Sequence, residues 1–218
     1  MKNHKQFTEL SIVNLLLFGL ILYALFTQNY EMVFMGILMI GVSLVPLYLK
    51  AAHDVHIPAM FIYITIVFIF ASVFLGQFGG LYDRWHWYDA FLHFISAMVF
   101  GFIGFLLFYV YYAHNKLKFP RSLMLFFALF FVLGVGGLWE IIEYGIDNFF
   151  GTNMQVGSLD DTMIDLIVDG LGGLVSIIIC SLYLSKITVP VIDKVVEVVT
   201  EEVLEENRDM ARAASSQI

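Results

Sequence analysis

The sequence predicts an all-α fold, a polytopic transmembrane helix bundle of six spans with a C-terminal amphipathic cytoplasmic helix, on three observations. Of its 218 residues, 60% are hydrophobic and 14% charged, against about a quarter charged in soluble domains. Six stretches contain no Asp, Glu, Lys or Arg: 10–30, 32–49, 55–82, 90–115, 122–139 and 170–185. Beyond residue 186 the composition turns acidic and periodic. A water-soluble globule is excluded, and so is a disordered chain, because too little of the sequence prefers water to burial. The single cysteine, Cys180, sits in an apolar run, which leaves no intramolecular disulfide or thiolate metal cluster.

The helix cores are placed at 10–27, 32–49, 57–77, 87–112, 122–146 and 162–185, each about long enough to cross a hydrocarbon layer ~30 Å thick. They make up a transmembrane domain over 8–185, with the tail over 186–218. The first helix follows a lysine-bearing start, but its apolar run exceeds a signal-peptide core and no small-x-small cleavage site follows, so it is read as an uncleaved span. Pro58 opens the third helix, where a missing N–H is harmless, and Pro120 precedes the fifth; Pro46 is expected to kink the second. Tyr82, Trp85, Trp87 and Tyr88 mark one membrane interface, and Tyr111 and Tyr112 the other.

Six spans put both termini and the loops 50–56 and 113–121 on one side. That side carries Lys2, Lys5, Lys50, Lys116, Lys118, Arg121, Lys186, Lys194, Arg208 and Arg212, and the other only Arg84. The bias places both termini in the cytoplasm of a bacterial plasma (inner) membrane. The net charge of −8 then divides into −9 outside, +5 on the cytoplasmic side and −4 in the tail. In the tail Ile192, Val196, Val199, Val203 and Met210 recur at helical steps among Glu197, Glu201, Glu202, Glu205 and Glu206. Anionic headgroups repel such a face, so a homo-oligomer or partner contact through this helix is favoured over membrane-surface binding; a solvated helix is the alternative.

The unusual polar residues gather in three segments that the topology brings to one outer layer. The fourth helix opens with Asp89 and His93, the fifth closes with Glu140, Glu143 and Asp147, and the sixth opens with Asp160, Asp161, Asp165 and Asp169. Steps of three and four put each set on one helix face. His93, Glu140 and Asp169 fall roughly 9–12 Å inside their helix ends, with Asp89, Glu143 and Asp165 shallower, so two stacked polar layers are expected. The glycine clusters 134–137 and 170–173 fall at matching depth and suit close helix approach. Asp160 and Asp161 are expected to cap the sixth helix. Glu140, Glu143 and Asp147 sit at a helix C-terminus, where carboxylates are unfavourable and need compensation.

A charge deep in a span costs on the order of 3 kcal/mol, so these carboxylates need protons, hydrogen bonds or a cation. Arg84 and His93 alone do not balance them. A divalent metal (Mn, Fe, Mg or Zn) fits a set of carboxylates with one imidazole, and Asp89, His93, Glu140 and Asp169 are its candidate ligands. The alternative is that the fifth helix ends early and Glu140 lies in the wet interface. His86 is a weaker, shallow candidate, and His4, His53, His56 and His114 read as solvated. Phosphate loops, H-E-x-x-H and G-x-S-x-G are absent, and the paired Glu-x-x-His of di-iron bundles is not matched.

The strings Trp87-Tyr88-Asp89, His93-Phe94, Trp139-Glu140, Glu143 and Asp161-Thr162-Met163 with Asp165, Asp169, Gly170 and Gly172 resemble those of the YjdF-like family of uncharacterised bacterial multi-pass inner-membrane proteins. The likeness covers roughly residues 60–185 and leaves out the first two helices and the tail. It implies a six-helix bacterial membrane protein and names no substrate.

Three functions are compatible with these residues. The first is a metal-dependent enzyme acting on a lipid or lipid-linked substrate, with Glu143 or Asp165 as general base toward a water activated by the metal. The second is a cation or proton-coupled transporter, opposed by the lack of ionisable residues over 100–112. The third is a non-catalytic scaffold whose acids cap helices. Lipid is the expected partner in every case, and nucleic acid is not.

Overall fold

The computed structural model describes residues 2–53, 59–115, 120–156, 158–185, 187, 192–193 and 196–197. The described elements are helical: α1 (Lys2–Phe26), α2 (Tyr30–His53), α3 (Ala59–Ile69) running into a π-helix (Phe70–Phe78), a single turn α4 (Leu81–Arg84), α5 (Tyr88–Asn115), α6 (Arg121–Phe150) and α7 (Leu159–Leu184).

Four of these helices, and not six, are long and apolar enough to cross a membrane among the described residues: Phe61–Phe78, Tyr88–Tyr109, Arg121–Phe150 and Leu159–Leu184. The first two apolar stretches are the shorter Leu10–Phe26 and Tyr30–Val45. At ~1.5 Å per residue they reach roughly 24–26 Å, shorter than every one of the four spans, of which Phe61–Phe78 with 18 residues is the shortest. The expectation of six spans is corrected to four for that reason: freedom from charge was satisfied where apolar length was not. The last long helix described, Leu159–Leu184, is itself one of the four. The amphipathic cytoplasmic helix expected over 186–218 falls almost wholly outside the described residues.

α1 and α2 form an antiparallel hairpin. Asn29 caps α2 by accepting from Met32 N at 3.0 Å, which satisfies one of the free N–H groups of the first turn. Leu17, Leu20 and Ala24 of α1 bury against Met32, Met35 and Met39 of α2 and against Ile69 and Val73. Ser43 donates to Asn14 Oδ1 across the hairpin at 2.5 Å. The hairpin thus leans on α3 and the π-helix, and Trp139 and Met154 touch the same core.

The other half is a three-helix bundle in which α5, α6 and α7 pack pairwise. α5 and α7 begin, and α6 ends, at the same end of it. At the opposite end Phe105, Ala128 and Cys180 form a buried apolar cluster that also takes in Ile192, with Val196 packed against it. Close approach of α5 to α7 depends on Gly172, where a Cβ would lie 2.5 Å from the Phe94 carbonyl oxygen and 2.9 Å from Ala97 Cβ. The glycine clusters do not face one another uniformly. Gly136 and Gly173 lie in helix contacts, whereas Gly134 and Gly137 have no neighbouring atom within 4 Å.

Candidate functional site

The polar residues arrive at one end of the bundle through local features that can be traced individually. α5 starts at Tyr88, whose hydroxyl donates to the Ala71 carbonyl at 2.9 Å, and Tyr82 packs edge-on against its ring. Ala71 lies in the π-helix, a form that recurs at functional sites. The contact anchors the first turn of α5, which carries Asp89, with His93 one turn deeper.

α6 continues to Phe150 and ends at Gly151 in the left-handed region (φ 67°), whose N–H returns to the Asp147 carbonyl. Glu140 therefore lies well inside the helix and is 4% exposed. The alternative of an early end to this helix is not what is found. Asp147 is compensated by three donors: Thr152 Oγ1 at 2.6 Å, Met154 N at 2.7 Å and Gln155 N at 3.0 Å. These bonds fold residues 152–155 back over the end of α6. α7 is capped by Ser158, whose Oγ accepts from Asp161 N at 3.1 Å. Asp160 and Asp161 occupy its first turn and gain from the helix dipole, but the cap is the serine.

Asp165, Asp169, Glu140, Glu143 and His93 are all buried, and Asp89 is half-buried. Asp89, His93 and Asp165 each offer one ligand atom, and the three atoms lie within 4.8 Å of one another. His93 also approaches further residues of α6 and α7: Nδ1 is 3.3 Å from Asp169 Oδ1, and Nε2 is 4.0 Å from Glu140 Oε1. His93 therefore joins the shallow and deep polar layers. Glu143 lies one turn from Glu140 and is hydrogen-bonded to the Trp139 side chain.

Three buried oxygens in the cluster, Glu140 Oε1, Asp165 Oδ2 and Asp169 Oδ2, have no hydrogen-bond partner. Leaving such atoms unpaired is costly, and a cation removes the cost while balancing the charge. Asp169 Oδ2 lies against Gly136, where a Cβ would collide with it, so a glycine at that position gives the carboxylate its space.

Of the candidate ligands, Asp89 and His93 thus fall in one three-residue group with Asp165, which the sequence had suggested as a base. Glu140 and Asp169 flank the same imidazole. His86 and Arg84 are exposed and lie outside the group. Gln155 carried no signal in the sequence: its Nε2 donates to Glu140 Oε2 at 3.2 Å, to the Glu140 carbonyl at 3.3 Å and to Thr162 Oγ1 at 2.8 Å. Only the fold of residues 152–155 onto Asp147 brings it there.

A family profile described as "Predicted membrane protein (DUF2238)" matches residues 9–186. A protein of Thermotoga maritima, described as uncharacterized, is 34% identical over 114 residues, which cover 50% of this chain and 57% of the relative. The chain thus aligns with little more than half the length of that relative. No solved structure matches it. The cluster is a buried Asp/His group capable of holding a metal, in a multi-pass membrane protein.

Proposed function

The chain belongs to the DUF2238 family of membrane proteins, and on that premise we propose that it is built around one divalent cation held where α5, α6 and α7 meet. The observation that carries this reading is the convergence of Asp89, His93 and Asp165 within 4.8 Å. Carboxylates with one imidazole favour Mn, Fe or Zn over Mg. Within the family, the strings around Asp89, Glu140 and Asp165 resemble those of the YjdF-like proteins.

The site faces the outside of a bacterial plasma membrane, with both termini in the cytoplasm. Four spans leave this orientation as six did, because α1 and α2 are lost as a pair and every later loop keeps its side. The lysines and arginines then still gather on the cytoplasmic side.

A cation here supplies Lewis-acid polarisation of a water or a substrate oxygen. With Asp165 among the ligands, Glu143 is the general base, one helical turn from Glu140 and poised by Trp139. The substrate is a lipid or lipid-linked molecule, since the helices around the site expose Leu138, Ile141 and Tyr144 to a medium that only such molecules share. Transport is disfavoured by the apolar cluster of Phe105, Ala128, Cys180 and Ile192 at the far end of the bundle.

Metal content of the detergent-purified protein tests the reading. About one divalent ion per chain is expected in wild type and its loss in Asp165→Asn; a folded wild type that takes up no divalent ion overturns it. Turnover of membrane lipid extracts that stops in Glu143→Gln, with metal content kept, supports the enzymatic part. Metal-dependent flux into proteoliposomes without turnover contradicts that part.

A further inference from the structure

We infer that Gln155 determines which cations the site accepts, by holding one oxygen of Glu140 so that Glu140 meets the cation through the other oxygen alone. The inference rests on the cation site proposed above and adds Glu140, whose Oε1 lies 4.0 Å from His93 Nε2, as a ligand beside Asp89, His93 and Asp165. Glu140 Oε2 and the Glu140 carbonyl both accept from the Gln155 amide, while Oε1 has no partner and points to within 4.0 Å of His93 Nε2. A carboxylate held at both its main chain and one oxygen is not free to swing round and chelate through two.

Gln155 is itself firmly placed. Thr162 Oγ1 takes one of the two amide hydrogens at 2.8 Å, the two Glu140 oxygens share the other, and the Gln155 main-chain N–H is fixed by Asp147. Asp147 thus acts at a distance: it shapes the loop that carries the amide to Glu140. The amide is neutral, so it orients Glu140 without competing with the cation for its charge.

The consequence is a choice between metals. Ca²⁺ takes six to eight oxygens and readily uses bidentate carboxylates, whereas a transition metal such as Mn²⁺ is complete at about six ligands and accepts an imidazole among them. Holding Glu140 to one oxygen therefore selects against Ca²⁺. Releasing it lets Glu140 chelate and narrows the difference.

The experiment is competition between Mn²⁺ and Ca²⁺ for the full-length, metal-stripped protein in detergent, with bound Mn²⁺ read by electron paramagnetic resonance. Gln155→Met keeps side-chain length and removes the donor, and Gln155→Leu serves if the first variant is unstable. The Mn²⁺-over-Ca²⁺ preference is expected to fall about 10-fold or more, the scale on which outer-shell partners act. In a Glu140→Gln background the same change is expected to do nothing, since its target is gone. An unchanged preference, or an equal fall in the Glu140→Gln background, overturns the inference while wild-type Mn²⁺ binding upholds the site. Wild type that binds neither ion overturns both.

Discussion

His93 is the residue on which the cluster turns, because its two ring nitrogens approach Asp169 and Glu140 and one of them lies within 4.8 Å of carboxylate oxygens of Asp89 and Asp165. Replacing it removes a ligand and the link between the two layers. His93→Ala and Asp165→Asn are each expected to weaken divalent-metal binding by more than the about 10–100-fold that outer-shell partners cost, as measured by isothermal titration. Every ligand must be deprotonated to bind, so affinity is expected to fall as the pH is lowered from 7 to 5; the same titration across that range checks the sign. Asp147→Asn is expected to lower stability by about 2 kcal/mol, since hydrogen bonds to a charged acceptor contribute roughly 1.5–3 kcal/mol and an amide nitrogen would face one of its three donors. Thermal unfolding in detergent reads that loss. At this scale the sequence was informative about acids and histidine, whose i,i+4 spacing and burial cost mark them. It was silent on Gln155, because a neutral loop residue has neither periodicity nor charge, and its position depends on Asp147 folding the loop.

At the scale of helices, the last three long segments stood out because their polar residues sit at helix ends and repeat on one face. The first two misled: charge-free runs were read as spans, although Leu10–Phe26 and Tyr30–Val45 are short and bury methionines and leucines against each other and against α3. That α3 loosens into a π-helix was not legible either, since nothing in residues 70–78 resembles a helix breaker beyond Gly76. Helix contacts make a further prediction. Gly172→Ala forces α7 away from the Phe94 backbone, and overpacking of this kind costs about 1–3 kcal/mol. It is expected to lower the thermal midpoint and to weaken metal binding, because Asp89 and His93 on α5 separate from Asp165 on α7. Gly134→Ala, with no neighbour within 4 Å, is expected to leave both unchanged.

Across the whole molecule, polarity is segregated along the bundle. One end carries the acids and His93, and the other is closed by Phe105, Ala128, Cys180 and Ile192. Burial of Ile192 means that the start of the tail packs on its own bundle, which the helical period of the tail did not specify. The proposed orientation predicts that reporters fused between α5 and α6 and between α6 and α7 lie on opposite sides of the membrane, the first cytoplasmic; the same side for both contradicts it. The central claim, one divalent cation among α5, α6 and α7, is met most directly by a structure of the full chain grown with Zn²⁺ and measured at the zinc absorption edge. A single anomalous peak about 2.0–2.2 Å from ligand atoms of Asp89, His93 and Asp165 is the predicted result. A zinc-loaded crystal without a peak there, with those side chains paired to one another instead, would contradict it.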